Sequence, residues 1–395
     1  MMIQAVLGNP HHPEYGVATI PFPIPHDQYA HCMELLEALE IGDAVKADCK
    51  VTKIDSFYTV LKRTEMLTVN VEELNYLAKR LESFDTGEAA QFQAMAHKLE
   101  LFELKDLINL TFCCQQATVI TDFSDLAAIG RDHYMNLHGG SASVDELNKL
   151  DSEETARRLI ESGGGTITPY GVVYDNGMKL EQVYDGRFFP CYYYEPNAIT
   201  VAVTSKSELE DTEHITWLYL PMEREEIDRA LLRGGITDPA DVRLRLEDSQ
   251  LPNEVDVLLD MEYENLSDLN ELAEATDGLS KADMEKLGAV VMLAKPKSAA
   301  QIKNLAESLD LFDLAPGAHT PQEYGKYMIQ QSGHFDYDEN LDAFYDYEKY
   351  GMERMNEEDG MFTDRGYIAY KGYISMEEVM NGSQSSHMEM GGLSR

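Results

Sequence analysis

The feature that most constrains this chain is an internal repeat at a separation of 195 residues. The run Asn70-x3-Leu74-Asn75-x-Leu77-Ala78 falls on Asn265-x3-Leu269-Asn270-x-Leu272-Ala273. The same shift aligns further pairs of asparagine, glycine, threonine and acidic residues: Asn109/Asn304, Gly130/Gly325, Asp151/Asp346, Glu153/Glu348, Gly165/Gly360, Thr168/Thr363 and Gly171/Gly366. One shift that serves so long a stretch without a gap predicts a tandem duplication. We place the first unit at residues 1–195 and the second at 196–380.

Hydrophobic periodicity predicts the same order of elements in both halves. Each half begins with two strands, a helix and a third strand, continues with several helices, and closes with a helix and a β-hairpin. The first-half hairpin is predicted as Thr166–Tyr174 and Met178–Tyr184 around the turn Asp175-Asn176-Gly177. The second-half closing helix is predicted over Asn340–Met355. We therefore expect an α+β chain of two tandem units, with a disordered tail at 381–395.

Charge sets a second constraint, because 71 Asp+Glu against 32 Lys+Arg give a formal net charge of −39. A compact state with this excess suffers self-repulsion. The first 197 residues have a net charge of −15 and the remainder −24. An ordinary soluble acidic protein is one interpretation. The other is a surface that imitates duplex DNA, which presents one charge per roughly 1.7 Å of its axis.

Two acidic runs in the second half are the candidate partner-binding groups. No lysine or arginine lies between Glu247 and Asp277. The first run contains Glu247, Asp248, Glu254, Asp256, Asp260, Glu262, Glu264, Asp268 and Glu271. The second run contains Asp336, Asp338, Glu339, Asp342, Asp346 and Glu348. Solvated helix faces are the plainer alternative, although such faces usually intersperse lysine with glutamate.

Motifs for catalysis, cofactors and metals are missing from the sequence. The spacing Asp336-x-Asp338-x-Asn340 resembles the start of an EF-hand loop, but Leu341 replaces the required glycine and Tyr347 the closing glutamate. The five cysteines form no CxxC pair. We predict a non-enzymatic protein without cofactor or metal. No apolar stretch is long enough to span a membrane, and we expect a cytoplasmic protein.

Two segments of the second half carry a family resemblance. The run Leu341-Asp342-Ala343-Phe344-Tyr345-Asp346-Tyr347-Glu348-Lys349-Tyr350-Gly351 precedes Phe362-Thr363-x-x-Gly366-Tyr367-Ile368. Together they resemble the closing motif of the ArdA antirestriction family. The strand Ile215–Pro221, which contains Trp217, is similar to a strand of that family. The resemblance covers residues 198–375. The first half matches only through the duplication, because Asp151-Ser152-Glu153 lacks the aromatic residue of the motif.

The resemblance implies a function. ArdA proteins are elongated, acidic DNA mimics carried on mobile genetic elements such as conjugative transposons. They occupy the DNA-binding groove of type I restriction-modification enzymes. The implied partner is the methyltransferase core of such an enzyme, without direct nucleic-acid or membrane binding. Family members are usually single-unit chains that pair as dimers. The resemblance therefore leaves three alternatives for the dimer interface: it is used within this chain as a covalent pseudo-dimer, between two chains as a homodimer, or not at all. The alternative is an acidic, non-catalytic interaction protein of a mobile element that binds a protein partner through its aromatic faces.

Overall fold

Alternating apolar residues build the first sheet of the computed structural model, which describes residues 3–209 and 213–382. Strand β1 (Ile3–Gly8) buries Ile3, Ala5 and Leu7 and exposes Gln4 between them. It pairs antiparallel with β2 (Val17–Phe22) on one side and β3 (Cys49–Asp55) on the other. The short β4 (Thr68–Val69) extends the sheet, in the order β2-β1-β3-β4. One face of each strand therefore supplies core residues.

The chain divides into two compact units. Unit 1 comprises Met1–Tyr194, Glu208–Trp217 and Glu223–Asp241. Unit 2 comprises Glu195–Ser207, Leu218–Met222 and Val242–Arg395. Unit 1 therefore includes α8 (Arg224–Arg233), a helix from the second half of the sequence.

The other elements of unit 1 are helices and a second small antiparallel sheet. The helices are α1 (Tyr29–Glu37), α2 (Val71–Glu82), α3 (Thr86–Lys98), α4 (Leu104–Leu110), α5 (Leu126–Leu137), α6 (Val144–Lys149) and α7 (Ser152–Glu161). The sheet contains β5 (Thr118–Ile120), β6 (Thr166–Thr168) and β7 (Gly171–Tyr174) in the order β5-β7-β6.

Unit 2 also contains two small antiparallel sheets and several helices. Its first sheet contains β8 (Ile199–Ser205), β9 (Thr216–Leu220) and β10 (Val242–Ser249) in the order β10-β8-β9, with the unit boundary after Trp217 of β9. The helices are α9 (Asn253–Leu258), α10 (Leu266–Thr276), α11 (Lys281–Ala294), α12 (Ala299–Ala306), α13 (Pro321–Gln330), α14 (Tyr347–Glu357) and α15 (Met376–Met380). The second sheet contains β11 (Phe312–Pro316), β12 (Asp359–Thr363) and β13 (Gly366–Tyr370) in the order β11-β13-β12. Helices and small antiparallel sheets in both units confirm the α+β class.

Asparagines at equivalent positions of the two halves have the same hydrogen-bonding roles. The Oδ1 atom of Asn75 accepts from the Ile24 backbone at 2.8 Å, and that of Asn270 accepts from Met222 at 2.9 Å. The shift of 195 residues had paired these two asparagines. Both are buried, so each satisfies a backbone donor that water does not reach.

Two glycines mark a second equivalence, where paired helices touch. A Cβ atom on Gly130 of α5 would lie 1.8 Å from the carbonyl oxygen of Ser152, at the start of α7. A Cβ atom on Gly325 of α13 would lie 2.0 Å from the carbonyl oxygen of Tyr347, at the start of α14. Only glycine permits this closeness of helix backbones in either half.

The predicted first-half hairpin is wrong in its position. Strands β6 and β7 are joined at Pro169–Tyr170, and residues 178–184 form no strand. Gly171 has a φ of +126°, which favours glycine and suits the turn at Pro169–Tyr170. Asn109 bonds both the backbone N–H of Tyr184, at 2.7 Å, and its carbonyl, at 3.0 Å. The backbone N–H and C=O of Tyr184 are therefore hydrogen-bonded to a side chain of α4, and not to a neighbouring strand.

The predicted helix over Asn340–Met355 is interrupted. A short 3-10 helix covers Glu339–Phe344, and α14 begins only at Tyr347. Asp346 has a non-helical backbone, and its side chain accepts from the Lys349 N–H at 3.0 Å. An aspartate at this position favours capping a new helix over continuing the old one. Apart from Asn381 and Gly382, the predicted disordered tail at 381–395 lies outside the described residues.

Candidate partner-binding surface

The first acidic run is spread over three elements of unit 2 and the connection between two of them. Glu247 and Asp248 lie at the end of β10, Glu254 and Asp256 on α9, and Asp268 and Glu271 on α10. Asp260, Glu262 and Glu264 lie in the connection between α9 and α10. The second run lies on the 3-10 helix, on α14 and on the residues just before each of them.

Solvent exposure divides the predicted contact residues into two groups. The exposed group comprises Glu247, Asp248, Asp260, Glu262, Glu271, Asp336, Asp338, Glu339, Asp342, Asp346 and Glu348. The half-buried group comprises Glu254, Asp256, Glu264 and Asp268. Carboxylates of the exposed group can contact a partner's lysine and arginine side chains without a change in the fold.

Glu254 is half-buried because it holds the closing hairpin of unit 2. Both of its carboxylate oxygens accept from Arg365, each at 2.8 Å, in a two-pronged ion pair. This hydrogen bonding lowers the pKa of Glu254. Arg365 also donates to Glu285 of α11. The charge of Glu254 is therefore already balanced within the fold.

Glu264 and Asp256 also face inward. Glu264 accepts from the backbone N–H of Ala299, at the start of α12, at 3.0 and 3.1 Å. Burial raises the pKa of both carboxyl groups. The Oδ1 atom of Asp256 is buried without a hydrogen-bond partner. These two side chains are therefore part of the packing of unit 2 and are poorly placed to contact a partner.

Three exposed acids of the second run also have local structural roles. Asp338 caps the 3-10 helix by accepting from the Asn340 N–H at 2.9 Å, and Asp346 caps α14. Asp342 accepts from the hydroxyls of Tyr347 and Tyr337, and these bonds lower the pKa of its carboxyl. All three remain exposed, so they are ordered charges at the surface.

Glu271 of α10 is exposed and forms one surface ion pair. Its carboxylate lies 3.0 Å from the Nζ atom of Lys303 on α12, and 47% of its side chain is exposed. An exposed pair of this kind contributes at most about 1 kcal/mol to stability. It leaves most of the carboxylate open to solvent.

Among residues 3–209 and 213–382, no group of three or more histidine, cysteine or acidic side chains is arranged to hold a metal ion. In the same described residues, no helix is long and apolar enough to cross a membrane. A cavity of about 200 Å³ in unit 1 is lined partly by Asp122, Asp125 and Asp132. Asp122 bonds Ser124, and Asp125 caps α5. Two of the three carboxylates therefore have structural roles of their own.

The sequence interpretation missed two arginines on α8. Arg229 and Arg233 lie one helical turn apart, and their guanidinium groups are buried against Glu72 and Glu73 of α2. The four-residue spacing places both arginines on one side of α8, but this side lies roughly opposite the buried Ile227, so the apolar pattern of the helix did not indicate their burial. Their partners, more than 150 residues away, could not be identified from it.

Comparison with known proteins agrees with the location of the acidic runs. No curated protein matches the chain. The model of one protein family, described as Antirestriction protein (ArdA), matches residues 212–369. This segment contains every predicted contact residue and has 35 acidic against 14 basic residues. The match covers the C-terminal half, where the sequence resemblance had been clearest, and it favours an antirestriction function. The C-terminal half of this chain therefore carries the ArdA antirestriction family match.

Proposed function

We propose that the chain is a non-catalytic antirestriction protein that binds a type I restriction-modification enzyme in place of DNA. The observation that carries the proposal is the coincidence of the family match with the exposed acids. Residues 212–369 match the antirestriction family, and eleven predicted contact carboxylates within them are exposed. The enzyme's DNA-binding groove must present lysine and arginine to phosphates, and these carboxylates are complementary to such a groove.

The proposed partner surface is the methyltransferase core, which holds DNA before cleavage or modification. Binding should be steered by long-range charge, because the net charge of −39 attracts a basic groove from a distance. We also propose that the two halves are tandem ArdA-like units, at 1–195 and 196–380. The equivalent asparagines and close-packed glycines support this duplication. One chain would then be a covalent pseudo-dimer, or would pair with a second chain.

The test is displacement of labelled duplex DNA from a purified type I methyltransferase core by the full chain. Displacement should weaken as salt rises, since exposed charges are screened within about 8 Å at physiological ionic strength. A variant that neutralises Glu262, Asp336, Glu339 and Glu348 should bind more weakly. At about 0.5–1 kcal/mol for each exposed pair, the loss is about 2–4 kcal/mol, or roughly 30- to 900-fold in affinity.

The matched control keeps the charges and changes only the side-chain lengths. It carries Glu262→Asp, Asp336→Glu, Glu339→Asp and Glu348→Asp, and it should displace DNA nearly as well as the wild type. If the wild-type chain does not displace DNA at a large molar excess, the proposal is wrong.

A second candidate is supported by exposed aromatic side chains within the acidic region. Phe344 is 83% exposed and Tyr263 is 79% exposed. Aromatic residues at such positions anchor protein interfaces. This candidate, a protein partner bound through the aromatic faces, predicts binding that persists in high salt and does not compete with DNA.

A further inference from the structure

In the first half, Glu72 near the start of α2 forms an ion pair with an arginine of α8. The Nη2 atom of Arg229 lies 2.6 Å from the carboxylate of Glu72, and both side chains are at least four-fifths buried. Arg229 also donates to the carbonyl of Gly42 at 2.8 Å and to the Tyr29 hydroxyl at 3.2 Å. Burial opposes the arginine charge, yet the attraction of Glu72 keeps its pKa above the ordinary value. The carboxylate of Glu72 is therefore desolvated and paired.

Arg233 occupies the neighbouring position more deeply. It is 4% exposed and donates to the Ala44 carbonyl at 2.9 Å and to Asn70 Oδ1 at 3.0 Å. Its guanidinium lies 4.3 Å from the ring centre of Phe189 and 3.7 Å from the carboxylate of Glu73. The same guanidinium donates to the Tyr184 hydroxyl. Glu73 is thereby enclosed within unit 1.

The segment 184–192 packs on α2 around Tyr76 and Lys79. Tyr76 of α2 stacks on Phe189, with ring centres 4.5 Å apart, and donates to the Pro190 carbonyl at 2.9 Å. The hydroxyl of Tyr192 donates to the carbonyl of Lys79 at 2.9 Å. Both α8 and this segment thus remove the face of α2 from solvent.

Helix α10 is the counterpart of α2 in the second half, and within the described residues its acidic side chains from Glu271 to Asp277 are exposed to solvent. Asn70 caps α2 by accepting from the Glu73 N–H, and Asn265 caps α10 by accepting from the Asp268 N–H. At the positions of the covered Tyr76 and the half-buried Lys79, α10 has Glu271 and Glu274, which are both exposed. The two faces therefore differ in charge as well as in coverage.

We infer that the chain presents a single enzyme-binding face of this kind, on α10, and that α8 together with the segment 184–192 permanently covers the first-half counterpart. A chain would then engage one basic groove through its second half. The inference rests on the proposed function, because it names which half meets the enzyme. To bind a second groove at α2, the enzyme would have to displace buried arginines from their carboxylates.

The test compares two variants that each remove three charges. One carries Glu271→Gln, Glu274→Gln and Asp277→Asn on or next to α10. The matched variant carries Asp55→Asn, Asp145→Asn and Glu161→Gln, all exposed acids of the first half. Both are titrated as full chains into the methyltransferase core bound to labelled duplex DNA, and urea unfolding of each verifies the fold.

The α10 variant should lose affinity by roughly 10- to 150-fold, and the first-half variant by less than about threefold, since distant exposed charges are screened. An equal loss in both variants would overturn the inference and leave DNA mimicry standing. No loss in the α10 variant would also overturn it, provided that the wild type displaces DNA. A wild type that fails to displace DNA would refute the proposed function itself.

Discussion

Replacing Arg233 with alanine should destabilise unit 1 severely. The side chain is 4% exposed, and its removal takes a donor from the carbonyls of Ala44 and Arg187 and from Asn70 Oδ1, which keeps only the Glu73 N–H. Each such loss costs about 1–3 kcal/mol, although relaxation and entering water reduce the sum. Removing one partner of a buried ion pair typically costs about 3–5 kcal/mol, and we expect Arg233→Ala to fall in that range.

Urea unfolding, followed by the fluorescence of the single tryptophan, Trp217, measures the change. The control is Arg224→Ala on the same helix. Its side chain is 95% exposed and lies 4.0 Å from Asp228, so its loss should cost less than about 0.5 kcal/mol. A loss below about 1 kcal/mol for Arg233→Ala, or one equal to the control, would refute the assignment of Arg233 as a buried structural cation.

Two further perturbations test the packing of unit 2 and the pH response of unit 1. Gly325→Ala would place a Cβ atom 2.0 Å from the Tyr347 carbonyl and should cost about 2–3 kcal/mol in urea unfolding. Gly164→Ala, whose nearest neighbour would be 3.9 Å away, should change stability little. Asp43 has a pKa of about 2: partial burial raises it, but hydrogen bonds from the N–H groups of Lys46 and Val45 outweigh burial. Its contribution to stability is therefore complete above pH 5 and is lost as pH falls through 3.8 toward 2. The difference in unfolding midpoint between the wild type and Asp43→Asn should shrink over that pH range, and a constant difference would contradict the assigned pKa.

Local patterns in the sequence were sufficient for the α+β class. They failed where one side chain decides between two local structures. Asp346 caps a helix where periodicity had predicted a continuous one. Asn109 hydrogen-bonds the backbone of Tyr184, where the turn Asp175-Asn176-Gly177 had predicted the second strand of a hairpin. Such choices depend on contacts between distant parts of the chain.

The acidic runs could be read from the sequence, but the sequence did not show which carboxylates bond within the fold and which face solvent. Glu254 and Asp260 belong to the same run, yet Glu254 is bound by Arg365, a residue 111 positions later. Nothing in the local sequence distinguishes a carboxylate with such a partner from one that faces solvent. The assignment of individual contact carboxylates therefore stays a prediction, and the variants above test it.

The assignment of α8 to unit 1 has a consequence for the order of events during synthesis. A ribosome that has translated residues 1–194 has not yet made Arg229 and Arg233, which complete that unit. At about 5–20 residues per second, the interval before residue 241 is added is on the order of 2–10 s. During that interval Glu72 and Glu73 lack their arginines, and the nascent chain must keep the surface that awaits α8 hydrated.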